Sequence, residues 1–392
     1  MRVLLISSTF PPRKFGGITE SSYLLAKQLV DRGHQVTVYT TDIKDRCSRI
    51  SDITGVKNVD GMHVHYFRNL SNRLAFMRIY LPLGMIGIIK RELKNFDIIH
   101  LNEFRSFQSI IVHYYAKKYN IPYVLQTRGS LPRFVGKKML KHVYDKLWGY
   151  MILKDAAKLI ALTPMEAQQY ESWGVNKGRI GIVPNAIELS EFDKLPQRGN
   201  FREKWNISKS QKMVLSLSRI NRIKGLDLLV KAFNELQKEI DNVKLVIVGP
   251  DDGYLPNLRE LIRELKIEEK ILYIDLLQGR NKLEAYVDAD IYVLPSSYEI
   301  FGRTILEAMA CGTPVVVTES CGLASIVHEQ TGIVITSDKE QLSDALSHML
   351  SDEQMRLQFG ERGKSLVREK FNQDKTIEQI EKIYGSCMSS KQ

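Results

Sequence analysis

The sequence predicts an α/β protein with two doubly wound domains, each built on a parallel sheet that helices cover on both faces. Three observations support this prediction. The chain has 392 residues, which is more than one ordinary hydrophobic core accommodates. Short apolar runs alternate with stretches of helical spacing, a pattern typical of buried parallel sheets. The alternation then restarts after a polar stretch at 184–200, which we interpret as a linker.

In the first half, the apolar run at 3–7 is predicted to form a strand. A signal peptide is disfavoured, because the run is short and is followed at once by Pro11 and Pro12. Residues 20–32 have helical spacing, and Gly33 is expected to end that helix. The remaining apolar runs predict further strands at 35–40, 97–100, 122–126 and 158–162.

The second half repeats this pattern, with a strand predicted at 212–218 and a helix at 226–239. Further strands are predicted at 243–248, 271–274, 291–294, 315–318 and 333–335. We therefore assign the domains to residues 1–190 and 191–371, with residues 372–392 forming a helix that returns to the first domain. In two such sheets facing a shared cleft, ligands bind outside the carboxyl ends of the strands.

Composition and charge limit the classes of function. No apolar segment approaches the roughly 20 residues that a membrane-spanning helix needs. The four cysteines form no CxxC pair and are expected to be free thiols in a reducing cytoplasm. Residues 1–190 contain 28 Lys and Arg against 14 Asp and Glu, so the net charge of +11 belongs to the first half. Nucleic acid, an anionic membrane, a phosphate-bearing ligand or simply a solvated lysine-rich surface could explain this excess.

Two glycines, Gly16 and Gly17, follow the first predicted strand and precede the first helix. Glycines at this position let the backbone approach a ligand closely, and a helix N-terminus favours an anion. A simple turn is the alternative interpretation. The pattern is not the GxGxxG of dinucleotide-binding proteins, which argues against an oxidoreductase.

Two cations, Arg219 and Lys224, follow the strand predicted at 212–218, and Gly249 follows the strand predicted at 243–248. A pair of cations at a strand end can bind a diphosphate and stabilise negative charge that grows on it. A solvated charged loop is the alternative interpretation.

The strongest signal is the segment SSYEIFGRTILEAMACGTPVVVT. Glu299 falls in the loop after a strand, Gly302 and Arg303 at a helix start, and Glu307 about one turn into that helix. The helix start could offer backbone N–H groups to a phosphate or sugar. The two carboxylates could accept hydrogen bonds from hydroxyl groups. A hydrolase with paired carboxylates is the competing interpretation, which the cation pair in the same domain disfavours.

Together, these motifs resemble the retaining glycosyltransferases of family 4 (glycosyl transferases group 1), which have the GT-B fold of two Rossmann-like domains. The glycine pair, the Arg…Lys-Gly pair and the Glu-x7-Glu motif occur in family order, and the resemblance covers nearly the whole chain. The motifs of the second domain are specific, whereas those of the first domain are looser.

The resemblance implies a role for each matching residue. Arg219 and Lys224 would bind the diphosphate of a nucleotide-sugar donor and stabilise its departure. Glu299 would bind hydroxyls of a hexose-type donor sugar, and Glu307 would hold the ribose. The remaining donor-side residues would be Gly16, Gly17, Gly249, Gly302 and Arg303. The family requires no metal and no further cofactor.

One position departs from the family pattern. Many members have His-Gly near the anomeric centre, at the end of a first-domain strand, where this sequence has Arg128-Gly129. Arginine cannot act as a base at neutral pH, but it could bind phosphate, sugar hydroxyls or an anionic acceptor. The family is thought to use front-face attack, with the leaving phosphate helping to deprotonate the acceptor, so the change does not imply inactivity. His100 is a second acceptor-side candidate, with a hydrogen-bonded strand-end histidine as the alternative.

The resemblance to GT-B enzymes implies that the acceptor binds the first domain, which is also the domain that carries the basic excess. Residues 133–158 mix lysines with apolar side chains and predict a basic amphipathic helix, and residues 73–94 add a second such stretch. We expect this face to meet an anionic membrane and a lipid-diphosphate-linked glycan, so that a cytoplasmic protein lies peripherally on the membrane. A core-facing helix with solvated lysines is the alternative.

Two other classes of function are weighed against this one. A GT-B enzyme that is not a transferase, such as a sugar-nucleotide 2-epimerase, would share the fold and the diphosphate-binding cations but need no acceptor. A basic nucleic-acid-binding protein should show a known module or interleaved aromatic and basic residues. Neither is evident, so nucleic acid is not an expected partner.

Overall fold

The computed structural model describes residues 1–13, 17–45, 48–51, 55–134, 136–328 and 330–389. The chain forms two compact units, each with its own sheet. Unit 1 comprises Met1–Ala186 and Gln373–Gln392, and unit 2 comprises Ile187–Asn372. Each unit also has its own hydrophobic core.

Within the described residues, the sheet of unit 1 contains eight strands: β1 (Arg2–Ile6), β2 (Gln35–Thr41), β3 (Lys57–Val59), β4 (Met62–Phe67), β5 (Ile98–Leu101), β6 (Tyr123–Gln126), β7 (Lys158–Ala161) and β8 (Ile180–Ile182). They lie in the order β3-β4-β2-β1-β5-β6-β7-β8, and all neighbours are parallel except β3, which is antiparallel to β4. Val3, Leu4 and Leu5 of the central strand β1 are fully buried, because helices cover both faces of the sheet.

The helices of unit 1 up to residue 172 are α1 (Gly17–Asp31), α2 (Asn72–Phe76), α3 (Met85–Glu92), α4 (Phe107–Tyr119), α5 (Lys138–Tyr144), α6 (Tyr150–Asp155) and α7 (Pro164–Ser172). A π-helical turn at Asp145–Gly149 joins α5 to α6. Helix α1 is followed by Gly33 in a left-handed conformation, with φ of +83°, as the sequence predicted.

Unit 2 contains six parallel strands in its described part: β9 (Lys212–Leu217), β10 (Val243–Val248), β11 (Ile271–Ile274), β12 (Ile291–Leu294), β13 (Val315–Thr318) and β14 (Gly332–Ile335). Their order is β11-β10-β9-β12-β13-β14. The covering helices are α8 (Asn200–Lys204), α9 (Leu226–Glu239), α10 (Leu255–Glu264), α11 (Gly279–Asp288), α12 (Arg303–Ala310), α13 (Ala324–Val327), α14 (Lys339–Ser351) and α15 (Glu353–Lys370).

The last helix, α16 (Gln373–Ser389), follows unit 2 in the chain but packs on unit 1. Its side chains Ile377, Ile380 and Tyr384 are buried in the same apolar cluster as residues of β1, β2 and β6. The predicted α/β fold with two parallel sheets and a returning C-terminal helix is therefore confirmed. No helix in the described part of the chain is both long and apolar enough to cross a bilayer.

Three strands of unit 1 were not predicted, namely β3, β4 and β8. The strand β4 has the sequence MHVHYF, in which His63 and His65 interrupt the apolar run. The strand β8 has only three residues, and Gly181 is its centre. All three lie toward the sheet edges, where apolar patterning is weak and strand pairing depends on neighbours that are distant in sequence.

Candidate active site

Two loops meet at the carboxyl edge of the sheet of unit 2, one after β9 and one after β12. The backbone N–H of Ser297 donates to the carbonyl of Ile223 at 2.9 Å, which ties the loops together. Lys224 ends a short 3-10 turn that the side chain of Asn221 caps. Its Nζ donates to Oε2 of Glu299 at 2.5 Å. The structure therefore brings two predicted site residues, 75 positions apart in the chain, into direct contact.

Glycine is required at two points of this sheet edge, where the segments after β9, β10 and β12 approach one another closely. Gly225 has φ of +66°, and a Cβ atom there would lie 2.0 Å from the carbonyl oxygen of Pro295. Gly249 has φ of +146°, and a Cβ atom there would lie 1.8 Å from the carbonyl oxygen of Ser218. Any side chain at either position would separate the strand ends. Gly249, a predicted donor-side residue, thus has a packing reason to be glycine.

The Glu299 carboxylate is held in its charged form. Its side chain is only 18% exposed, and this burial acts to raise its pKa. The ammonium of Lys224 and backbone N–H groups of Phe301 and Gly302 outweigh burial, so that the pKa lies below its ordinary value. Such a carboxylate can accept hydrogen bonds from hydroxyl groups at neutral pH.

Glu307 lies about one turn into α12. Gly302 is the N-cap residue of that helix and has a left-handed backbone conformation. The residue is 2% exposed. Its carboxylate accepts from Nζ of Lys282 at 2.9 Å, the hydroxyl of Tyr286 at 3.0 Å and Nε of Arg303 at 3.2 Å. Burial acts to raise its pKa, but Lys282 and Arg303 hold the pKa below its ordinary value.

Sequence reasoning missed Lys282 and Tyr286. They lie four residues apart on α11, so they share one face of that helix. This spacing was visible in the sequence, but nothing in it indicated that the face meets Glu307.

Arg219 lies at the same sheet edge but is bonded differently. Its guanidinium forms an ion pair with the carboxylate of Asp252, in the loop after β10. The Arg219 side chain is 43% exposed, the most open of the predicted cations in this unit. Asp252 also accepts from the side-chain amide of Asn221 at 3.2 Å. Sequence analysis did not identify Asp252, whose partner lies 33 residues away.

In unit 1, Arg128 follows β6 with φ of +50°, a backbone conformation that is uncommon for a residue other than glycine. Its guanidinium donates to Oδ1 of Asn102 from two nitrogens at 2.8 and 3.0 Å. It also donates to Oγ of Ser21 at 2.8 Å and to Oδ1 of Asn185 at 2.9 Å. Burial lowers the pKa of Arg128 to about 10, which still leaves it charged at neutral pH. The side chain therefore connects α1, the end of β5 and the segment after β8.

His100 lies on β5 and is fully buried. Its Nδ1 is 2.7 Å from the hydroxyl of Tyr384 on α16, and its Nε2 is 3.3 Å from Oε1 of Gln126. Burial, together with the charge of Arg128, lowers the pKa of His100 to about 3. This geometry favours the alternative of a hydrogen-bonded strand-end histidine, which here holds the C-terminal helix.

A pH-dependent stability follows from His100. Its pKa is about 3 in the fold and about 6.5 in the unfolded chain. Below about pH 6.5 the unfolded chain binds a proton that the fold excludes, so stability is lost as pH falls. At about pH 5.5 this loss should reach about 1.4 kcal/mol relative to about pH 7.5. We expect the free energy of unfolding of the His100→Gln variant to lack this part of the pH dependence.

Urea unfolding in a Trp205→Phe background measures this effect, because Trp148 and Trp173 then report on unit 1 alone. Both proteins contain the other histidines, so contributions common to the two proteins cancel in the difference. Equal pH dependence with and without His100 would contradict the assignment.

The remaining first-unit candidates are the two glycines. Gly17 is the first residue of α1, with open space where a Cβ atom would lie. Gly16 lies outside the described residues. Sequence analysis missed Glu103, which follows β5 and accepts from the backbone N–H and the hydroxyl of Ser8. Burial raises the pKa of Glu103.

The acidic pair Asp288 and Asp290 lies at the opposite edge of the unit 2 sheet. Asp288 ends α11 and accepts from backbone N–H groups of Gly199 and Arg202, while Asp290 accepts from that of Met213. These carboxylates stabilise the fold locally. In the described part of the chain, no group of three or more His, Cys, Asp or Glu is arranged to hold a metal ion.

Comparisons with known proteins give two family matches in succession. The model for Glycosyltransferase Family 4 matches residues 15–191, and that for Glycosyl transferases group 1 matches residues 197–366. An uncharacterized glycosyltransferase of Methanocaldococcus jannaschii is 27% identical over 403 residues, covering 99% of each chain.

Solved structures also resemble this fold over nearly its full length. Sucrose-phosphate synthase from Thermosynechococcus elongatus matches with a TM-score of 0.81 at 21% identity, covering 99% of both chains. Anabaena Alr3699/HepE in complex with UDP-glucose matches with a TM-score of 0.79 at 18% identity, covering 98% of this chain and 100% of that chain.

Proposed function

The chain belongs to the family 4 glycosyltransferases, and from this premise we propose that it transfers a hexose-type sugar, with retention of configuration, from a nucleotide-sugar donor to a glycan or lipid-diphosphate-linked acceptor. The contact between Lys224 and Glu299 carries the proposal. It joins a cation suited to a diphosphate and a carboxylate suited to sugar hydroxyls at one sheet edge.

In the proposed reaction, the bond from the anomeric carbon to the diphosphate oxygen breaks, and a bond to the acceptor hydroxyl oxygen forms on the same face. The hydroxyl proton passes to the departing phosphate. Arg219 and Lys224 stabilise the negative charge that develops on the leaving diphosphate. In this proposal no metal ion is needed, since these two side chains supply the positive charge.

Glu307 is proposed to bind the ribose of the donor. A carboxylate has about four lone-pair sites, and three donors already use Glu307: Lys282, Tyr286 and Arg303. This leaves capacity for a ribose hydroxyl. The three bonds also fix the carboxylate in place before the donor arrives, which reduces the entropy lost on binding.

Arg219→Ala should weaken binding of the donor about 10- to 100-fold, because a hydrogen bond to a charged group contributes about 1.5–3 kcal/mol. The side chain is 43% exposed, so its removal should leave the fold intact. A thermal-shift screen of UDP-, GDP-, ADP- and CMP-sugars first identifies the donor class. A donor at about 100 times its dissociation constant stabilises the protein by about 2.7 kcal/mol.

The matched control is Arg198→Ala. Arg198 is also in unit 2 and also pairs with an aspartate, Asp290, but at the opposite edge of the sheet. Its removal should leave donor affinity unchanged. Equal losses of affinity in both variants, or stabilisation by no nucleotide-sugar, would contradict the proposed donor site.

A further inference from the structure

Unit 1 exposes apolar side chains along one helical segment. None of the residues of α5 is buried. A helix on a protein normally turns its apolar stripe toward the core, but here apolar side chains are exposed through α5, the π-helical turn and the start of α6. They are Met139 (83% exposed), Leu140 (56%), Val143 (47%), Leu147 (56%), Trp148 (39%), Tyr150 (50%) and Met151 (43%).

A second exposed apolar segment adjoins the first. Nζ of Lys137 donates to the carbonyl oxygen of Met77 at 2.5 Å, which joins the start of α5 to the loop after α2. That loop and the start of α3 expose Met77, Leu83 and Ile86. Leu70, just before α2, is exposed as well, and its backbone N–H donates to the carbonyl of Leu81 in the same loop. We call the exposed apolar residues of 70–86 and 139–151 the apolar face.

The clustering is unusual for a protein surface. Of the 18 large apolar side chains that are exposed among the described residues, 11 belong to the apolar face. Single exposed apolar residues are normal, but a group concentrated in two segments that are joined at Lys137 and Met77 is typical of an interaction site. The apolar face is therefore a candidate interaction surface.

The charges around the apolar face indicate what kind of partner it binds. Residues 70–94 and 136–155 contain ten lysines and arginines and three carboxylates. Each carboxylate is bonded within its own unit: Glu92 accepts from Tyr39, Asp145 from Arg105 and Arg133, and Asp155 from His113 and Lys117. The exposed charge beside the apolar face is thus positive.

We propose that the apolar face docks on an anionic lipid bilayer, with the α5–α6 segment lying in the plane of the interface. Its apolar side chains enter the headgroup region while neighbouring lysines, such as Lys138 and Lys146, meet lipid phosphates. The proposal deepens the proposed function, because an enzyme docked on the bilayer could reach a lipid-diphosphate-linked acceptor. The biological purpose of docking rests on that function, whereas the docking itself does not.

The test is flotation of the full chain, without donor, on vesicles of phosphatidylcholine alone or mixed equally with phosphatidylglycerol. We expect recovery with the anionic vesicles only, decreasing as salt is raised. Lys138→Glu/Lys146→Glu should lower the partition coefficient at least about 10-fold, given the attraction of each lysine to an anionic surface. Leu140→Ser/Leu147→Ser should lower it by about as much through lost apolar burial.

Matched controls lie in unit 2. Leu357, on α15, is 61% exposed, and Lys209 and Lys231 are also exposed. Leu357→Ser and Lys209→Glu/Lys231→Glu should bind vesicles as the unmodified protein does. All these positions are exposed, and circular dichroism checks that each variant is folded.

Equal recovery with neutral and anionic vesicles would overturn the proposal. So would a concentration-dependent dimer that Leu140→Ser/Leu147→Ser abolishes in the absence of vesicle binding, because the occupant would then be a second copy of the chain. Donor binding measured by thermal shift separates the two proposals. Lost flotation with intact donor binding rejects the membrane site alone, whereas flotation without donor binding rejects the proposed function alone.

Discussion

Lys224→Met should lower kcat/KM for glycosyl transfer by about 10²- to 10³-fold, the usual cost of removing one group that stabilises a developing anion. Methionine keeps the apolar stem but removes the charge that is proposed to meet the leaving diphosphate. The variant also leaves Glu299, whose side chain is 18% exposed, without its cation. Its stability should therefore fall as well, by about 1–3 kcal/mol.

The double variant Lys224→Met/Glu299→Gln separates these effects. Replacing the carboxylate with an amide removes the unpaired charge, so stability should recover while transfer stays low. Lys231→Met, at an exposed position on α9 in the same unit, is the control and should match the unmodified enzyme. Steady-state kinetics and urea unfolding supply the two readouts. If transfer recovers together with stability, the role of Lys224 is structural.

Arg128→Met should lower the free energy of unfolding by about 3 kcal/mol, because it leaves several buried acceptors without a donor. Oδ1 of Asn102, a residue with no exposed surface, loses two hydrogen bonds, and Ser21 and Asn185 lose one each. Arg128→Lys should recover little of this, since an ammonium cannot reproduce the planar fork of a guanidinium. Urea unfolding in the Trp205→Phe background, measured through Trp148 and Trp173, tests both variants.

The control for Arg128 is Arg68→Met, at an exposed arginine of the same unit, which should change stability by less than about 0.5 kcal/mol. The prediction also distinguishes two roles for Arg128. If Arg128→Met is as stable as the unmodified protein but raises KM for the acceptor alone, the guanidinium binds the acceptor directly. A loss of stability instead supports a positioning role, in which Arg128 holds the strand ends of unit 1.

The donor side could be predicted from sequence because its signals are local. The strands β10, β11, β12 and β13 have the predicted bounds, since each is a mostly apolar run whose ends adjoin polar or turn residues, with Lys244 of β10 as the one charged residue inside them. Glu299 and Glu307 belong to one loop and the helix that follows it, so their spacing alone places them near one strand end. Strand β4 was missed because two histidines interrupt its apolar run.

The hydrogen-bond partners of these residues could not be predicted, because they depend on tertiary packing between elements that are distant in sequence. Lys282 lies 25 residues from Glu307, and nothing in the sequence brings α11 against α12. His100 is an extreme case. Its neighbour Tyr384 is 284 residues away, so its burial becomes evident only once α16 returns to unit 1. In the same way, the bonds of Arg128 depend on three segments meeting at the end of β6.

The most direct test of the central claim is product analysis with a labelled nucleotide-sugar of the class found in the thermal-shift screen. The full chain is incubated with chelator present and with a panel of glycan and lipid-diphosphate-linked acceptors, and the anomeric configuration is read by NMR. We predict a new glycoside with the configuration of the donor, formed in equal amount to the released nucleoside diphosphate. A free epimerised sugar or sugar nucleotide without glycoside, or a glycoside of inverted configuration, would contradict it.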